Sequence, residues 1–131
     1  MGTGVTAAAA AALVERGLAT LLVDLLTEGE AADRDRVFDI GLLARRLATA
    51  LQWAASDPET RDLPVGPFGA SMGAAAALRC AALERLRDGK LEIVPDASHL
   101  FEEPGALEDV ARRAGDFVLK HLARRDRGAA A

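Results

Sequence analysis

Residues 18–26, LATLLVDLL, form an apolar run interrupted only by Thr20 and Asp24. A run of this length without a helical stripe suits a strand covered on both faces, the pattern that strands of a parallel sheet show. It demands helices packed above and below it, and the flanking sequence supplies helical patterns. Thr6 to Arg16 predicts a helix with Gly17 as its stop. Val37 to Ala55 predicts the clearest helix, with Val37, Ile40, Ala44, Leu47, Leu51 and Ala54 on one stripe. Asp57-Pro58 ends it, because the residue before a proline avoids helical geometry. The polar stretch between run and helix, Thr27 to Arg36, reads as an exposed loop, and Trp53 reads as a packing residue.

The second half repeats the alternation. Leu63 to Gly69 reads as a short strand, Met72 to Arg87 as a helix, Lys90 to Pro95 (KLEIVP) as a third strand and Pro104 to Leu122 as the last helix. Cys80 falls inside the third helix as a small core residue. The order α-β-α-β-α-β-α predicts a minimal three-layer α/β/α sandwich around a short parallel sheet with right-handed crossovers. The 131 residues fit one domain, with about 124–131 as a flexible tail.

Charge and cysteine usage exclude several classes. The formal charge of −4 comes from acids and bases mixed along the chain, so there is neither a basic stripe for nucleic acid nor a polybasic membrane anchor. Ala7 to Val14 is apolar, but Glu15 and Arg16 end it too early for a membrane span, and its alanines make a poor signal peptide. The single cysteine permits no intrachain disulfide and fits a reducing compartment. The expectation is a cytoplasmic protein; the alanine and arginine usage suggests a GC-rich bacterial source.

The chemistry concentrates at Gly69-Ala70-Ser71-Met72-Gly73, a G-x-S-x-G pentapeptide. The expected strand LPVGPF precedes it and a helix-forming run follows it, the setting a nucleophile elbow requires. A serine on such a turn has unfavourable backbone angles, and Gly69 and Gly73 leave room for the close approach of strand and helix. The N–H of Met72 is the natural first oxyanion donor. Serine also caps helices well, so the pentapeptide alone fits either role. His99 shifts the balance. It follows KLEIVP on a short loop, where an imidazole could take the serine proton. His121 lies late in the last helix, where a cation suits the helix end.

FGASMGAAAAL and EIVPDASHLFEEPGALEDVA, with GLATLLVDLLTEGEA and VFDIGLLARRL upstream, resemble the dienelactone-hydrolase-like branch of the α/β-hydrolases, from about Ala8 to Leu122. The resemblance implies ester hydrolysis through an acyl-enzyme, with Ser71 as nucleophile, His99 as base, and no metal or organic cofactor. Two departures accompany it. The strands that precede the first run in such proteins, one of which leads to the second oxyanion donor, have no counterpart here. The two strands between the elbow helix and the histidine strand, and with them the usual position of the triad acid, are missing as well. The expectation is a hydrolase reduced to its core, a miniature or a fragment. Asp24 is the first candidate for a substitute acid, with loop bracing as its other reading; Asp96 and Glu102 lie closer to His99 in sequence. The N–H of Leu25 is the candidate second oxyanion donor, a role that requires the first strand to take the missing neighbour's place beside the elbow strand. Exposed edges of a three-stranded sheet predict a homodimer, formed by exchange of strands or of the last helix.

The reading is a carboxylesterase for small activated aryl esters, its open site favouring good leaving groups. The rival is a catalytically inactive interaction or structural module that keeps the elbow as geometry. A nucleotide-binding domain is disfavoured, since no Lys-Ser/Thr pair follows the glycines.

Overall fold

The computed structural model describes residues 3–83 and 104–129. Six helices occupy them: α1 (Thr3–Glu15), α2 (Glu28–Ala31), α3 (Arg34–Val37), α4 (Ile40–Ser56), α5 (Met72–Leu83) and α6 (Ala106–Ala129). The chain divides into two compact units, the first of residues 1–22 with 91–131 and the second of residues 23–90.

The described residues contain no strand, so the expected three-layer α/β/α sandwich with a parallel sheet is corrected to a helical architecture. Residues 18–26 and 63–69, read as strands, are irregular backbone with bends at 25–26 and 63; neither segment exchanges ladder hydrogen bonds with a described residue. A strand exists only through a paired neighbour, and an apolar run reports a tendency to be buried without supplying the pairing. Here Leu21, Leu22, Leu63 and Phe68 remain roughly half exposed. KLEIVP lies outside the described residues.

In the first unit, α1 packs on α6. Ala9, Ala10 and Leu13 of α1 and Ala106 and Ala111 of α6 are buried. Gly17 closes α1 as the sequence predicts. Its φ of +83° lets its N–H reach the Val14 carbonyl at 2.9 Å, and Leu18 N–H reaches Leu13 O at 3.2 Å. These two bonds make a Schellman stop, which satisfies carbonyls that the helix end would otherwise leave bare. Arg16 donates to Arg112 O at 2.7 Å and pairs with Asp116, tying the end of α1 to α6. Helix α6 continues to Ala129, past Leu122 and through most of the segment read as a tail.

In the second unit, α4 packs on α5 through Ala44, Ala48 and Cys80, with Leu47 and Leu51 flanking. Cys80 and Ala44 are fully buried. Small side chains at the contact let the helices approach closely, although each alanine brings little apolar area. Leu43 of α4, outside that cluster, is 4% exposed, and burying a leucine contributes about 1.5–3 kcal/mol. Helix α4 starts three residues later than the apolar stripe implies, because Asp39 caps it, its Oδ1 accepting from Leu42 N at 3.0 Å. It ends at Asp57, whose ψ of 133° is the extended geometry that Pro58 imposes. Trp53 is half exposed instead of packed.

The segment read as a loop carries the two short helices. Thr27 and Glu30 form a capping box, Thr27 Oγ1 accepting from Glu30 N and Glu30 Oε2 accepting from Thr27 N at 3.0 Å. Asp33 caps α3 through Asp35 N.

Candidate active site

The turn into α5 has the geometry of a cramped bend. Ser71 has φ +57°, and no other non-glycine residue among those described has a positive φ. This conformation costs an L-residue about 1–2 kcal/mol, so the surroundings must hold it. Helix α5 begins at the next residue, and the Ser71 carbonyl accepts from Ala74 N and Ala75 N at 3.1 and 3.3 Å. Serine here is therefore not an extended-backbone N-cap; its carbonyl enters the helix while its φ is left-handed.

The two glycines differ in what they do. A methyl group on Gly69 would overlap the Gly73 carbonyl and stand 2.8 Å from Ala74 N. A methyl group on Gly73 would meet nothing within 4 Å. The close approach expected of both is thus one approach, in which Gly69 lacks a side chain so that the Gly73 backbone can come near.

Ser71 is exposed and Met72 half-buried. The Met72 N–H makes no hydrogen bond among the described residues. As the first amide of a helix it has no intrahelical acceptor and points along the positive end of the helix dipole.

Asp24 is exposed, and its carboxylate makes no ion pair or hydrogen bond among the described residues. The loop bracing offered as its other reading falls instead to Glu30 and Arg46. Arg46 Nη1 and Nη2 grip the two Glu30 oxygens at 2.5 and 2.9 Å, and Nη1 also donates to Leu25 O at 2.8 Å. Arg36 Nη1 adds a contact to Glu30 Oε1 at 2.8 Å. Hydrogen bonds from Arg46, then from Thr27 N–H, hold the Glu30 carboxyl down from 4.5 to about 2. The Leu25 N–H, like that of Met72, has no acceptor among the described residues. His99, Asp96 and Glu102 lie outside the described residues. His121 Nδ1 lies 2.7 Å from the Phe117 carbonyl one turn back on α6.

Sequence reasoning missed Glu30 and Arg46. The signal for Glu30 was present, a threonine followed three residues later by a glutamate. Among the described residues no three His, Cys, Asp or Glu side chains gather as a metal site, and no helix is long and apolar enough to cross a membrane.

No family model matches the chain. Two curated relatives, from two strains of Mycobacterium tuberculosis and both named as phosphoribosyl transferases, are 39% identical over 84% of the chain. The chain spans about a third of their length, 36%. The matched stretch runs over 159 residues, more than the 131 of the whole chain, so it includes residues of the relatives without a counterpart here. The crystal structure of a dienelactone hydrolase from Anabaena variabilis superimposes with a TM-score of 0.74 and 37% identity, covering 88% of this chain and 78% of that one. With that identity over most of the length of the solved protein, the chain belongs to the dienelactone hydrolase family.

Proposed function

We propose that this chain is a serine hydrolase that cleaves small carboxylic esters, aryl esters with good leaving groups foremost. The observation that carries the reading is the left-handed Ser71 at the start of α5, with Gly69 against the Gly73 backbone and the Met72 N–H without an acceptor among the described residues. A strained serine at a helix start is a costly feature, and a lifted nucleophile beside a ready oxyanion donor gives that cost a purpose.

In this mechanism Ser71 Oγ attacks the ester carbonyl carbon while His99 takes the hydroxyl proton. The carbonyl oxygen becomes an oxyanion that accepts from Met72 N–H. The C–O bond to the alcohol breaks, and His99 returns the proton to the leaving oxygen. Water, deprotonated by His99, then attacks the acyl carbon; the C–O bond to Ser71 Oγ breaks, His99 returns the proton to that oxygen, and the acid leaves. Asp24, whose carboxylate has no partner among the described residues, is the candidate to orient His99. The transferase name of the mycobacterial relatives belongs to proteins about two thirds of whose length lies outside the match. The solved relative, matched over most of its length, favours hydrolysis.

The test is hydrolysis of p-nitrophenyl acetate together with labelling by a fluorophosphonate. The native chain should turn over the ester and take a stoichiometric label. Ser71→Ala should lose both, and His99→Ala should lose turnover. Hydrolysis unchanged in Ser71→Ala, or a native chain that takes no label, rejects the reading; the second result leaves an inactive interaction module. We also propose that the chain pairs with a second copy, supported by the exposure of Leu21, Leu22, Leu63 and Phe68. Sedimentation should give twice the chain mass; a monomer at micromolar concentration rejects it.

A further inference from the structure

Most arginines among the described residues meet an acid. Arg16, Arg36, Arg46, Arg61, Arg112 and Arg113 each form an ion pair, and Arg34 lies over the Phe38 ring. The Arg45 and Arg79 side chains have no such partner among the described residues, and both are exposed. Yet they converge on one point. A β-carbon on Gly41 would stand 3.3 Å from Arg45 Nη1 and 3.9 Å from Arg79 Nη2.

The helices explain the convergence. Arg45 lies one turn after Gly41 on α4, and helical side chains lean toward the N-terminus, so its guanidinium comes over Gly41. Arg79 arrives from α5, where it precedes Cys80, the residue packed against Ala44 and Ala48 of α4. Glycine is a poorer helix former than alanine, and at position 41 its missing side chain keeps room between the two guanidiniums. The Asp39 carboxylate is also close, Oδ1 standing 3.4 Å from the same point. That oxygen accepts from Leu42 N at 3.0 Å, and it pairs with neither arginine.

Two guanidiniums that face one point repel each other, and their exposed stems are free to part in water. An anion placed between them is attracted to both. The Asp39 charge beside that point weakens the hold on any anion, which leaves a doubly charged group with the larger net attraction. Guanidinium forks match the oxygens of a phosphoryl group in spacing and plane. We propose that Arg45 and Arg79 form a binding site over Gly41 for a phosphoryl dianion, whether free phosphate or the head of a phosphate monoester. The proposal does not rest on the hydrolase reading.

The experiment follows the arginine Nε–H and backbone amide NMR signals of the chain while phenyl phosphate is added at pH 8 and constant ionic strength, where the phosphoryl group is a dianion. Signals of Gly41, Arg45 and Arg79 should shift and saturate, with a midpoint on the order of millimolar. Arg45→Gln and Arg79→Gln should each weaken binding by roughly tenfold. Gly41→Leu keeps both charges and fills the space between them, so it should abolish saturable binding. Asp39→Asn keeps a capping oxygen and removes the opposing charge, so it should tighten binding by roughly two- to fivefold. Phenyl sulfate, of the same shape with one charge, should bind more weakly than phenyl phosphate. Inorganic phosphate is titrated in parallel: binding equal to that of phenyl phosphate identifies the free ion as sufficient, tighter binding of phenyl phosphate identifies a monoester, and either supports the site. Shifts that grow without saturating, binding that survives Gly41→Leu or either arginine variant unchanged, or equal binding of phenyl sulfate overturns the proposal. The backbone spectrum of each variant verifies that it is folded.

Discussion

Gly69 stands against the backbone of Gly73 so closely that a β-carbon on the first would overlap the carbonyl of the second, whereas a β-carbon on the second would meet open space. The two glycines of one pentapeptide should therefore respond to alanine in opposite directions. Gly69→Ala forces backbone apart and should cost about 1–3 kcal/mol or more. Gly73→Ala adds a good helix former within α5 and should be neutral or stabilising by up to ~1 kcal/mol. Urea unfolding followed by circular dichroism measures both.

The left-handed Ser71 predicts an order of stability among its variants. Ser71→Gly removes the β-carbon that makes φ +57° costly and should be more stable than Ser71→Ala by about 1 kcal/mol. Both should be inactive toward p-nitrophenyl acetate. Equal melting temperatures for the two variants would show that the bend relaxes once the hydroxyl is gone.

Acid should act through Glu30. Its folded-state pKa of about 2 lies below its ordinary 4.5, so the unfolded chain takes up the proton first as pH falls. The stability it contributes is complete above about pH 4.5 and is lost as pH drops toward about 2. Glu30→Gln should melt lower than the native chain near neutral pH, and the gap should narrow on acidification. Asp109 and Asp116, held low by hydrogen bonds from Arg113 and from Arg16 respectively, keep their own acid dependence in both proteins. Thermal melts between about pH 6 and pH 3 check this.

Gly17 tests the other unit. Its φ of +83° and the bonds from Gly17 N to Val14 O and from Leu18 N to Leu13 O close α1. Gly17→Ala should cost about 1 kcal/mol, and Gly17→Asn less, because asparagine tolerates the left-handed region. The measurement is hydrogen exchange at the last turn of α1, which should speed up more in the alanine variant.

Much of the helical framework can be read from the chain, whereas the sheet the sequence suggests is not formed among the described residues. The stop at Gly17, the end of α4 before Pro58 and the buried place of Cys80 depend on chemistry within a few residues, which sequence spacing reports. The apolar run at 18–26 reports only a preference for cover; with no paired backbone among the described residues, Leu21 and Leu22 stay half exposed. Thr27 to Arg36 reads as a loop because its composition is polar, although Thr27 and Glu30 close a helical turn with their side chains. The grip of Arg46 on Glu30 and Leu25 spans 16 and 21 residues, a separation that no local pattern encodes. In the candidate site, the Ser71 bend is legible because glycine spacing and backbone sterics are local, while the devices that brace Leu25 are not.

The left-handed backbone at position 71 also restricts which nucleophiles the site can exchange. Threonine offers the same hydroxyl chemistry as serine, yet its branched β-carbon is a severe misfit at positive φ. Cysteine has an unbranched β-carbon and brings a softer attacking atom. Chemical kinship and conformational kinship thus diverge at this residue: a thiol can take the place of the alcohol on this bend, while a second alcohol with one more methyl group cannot.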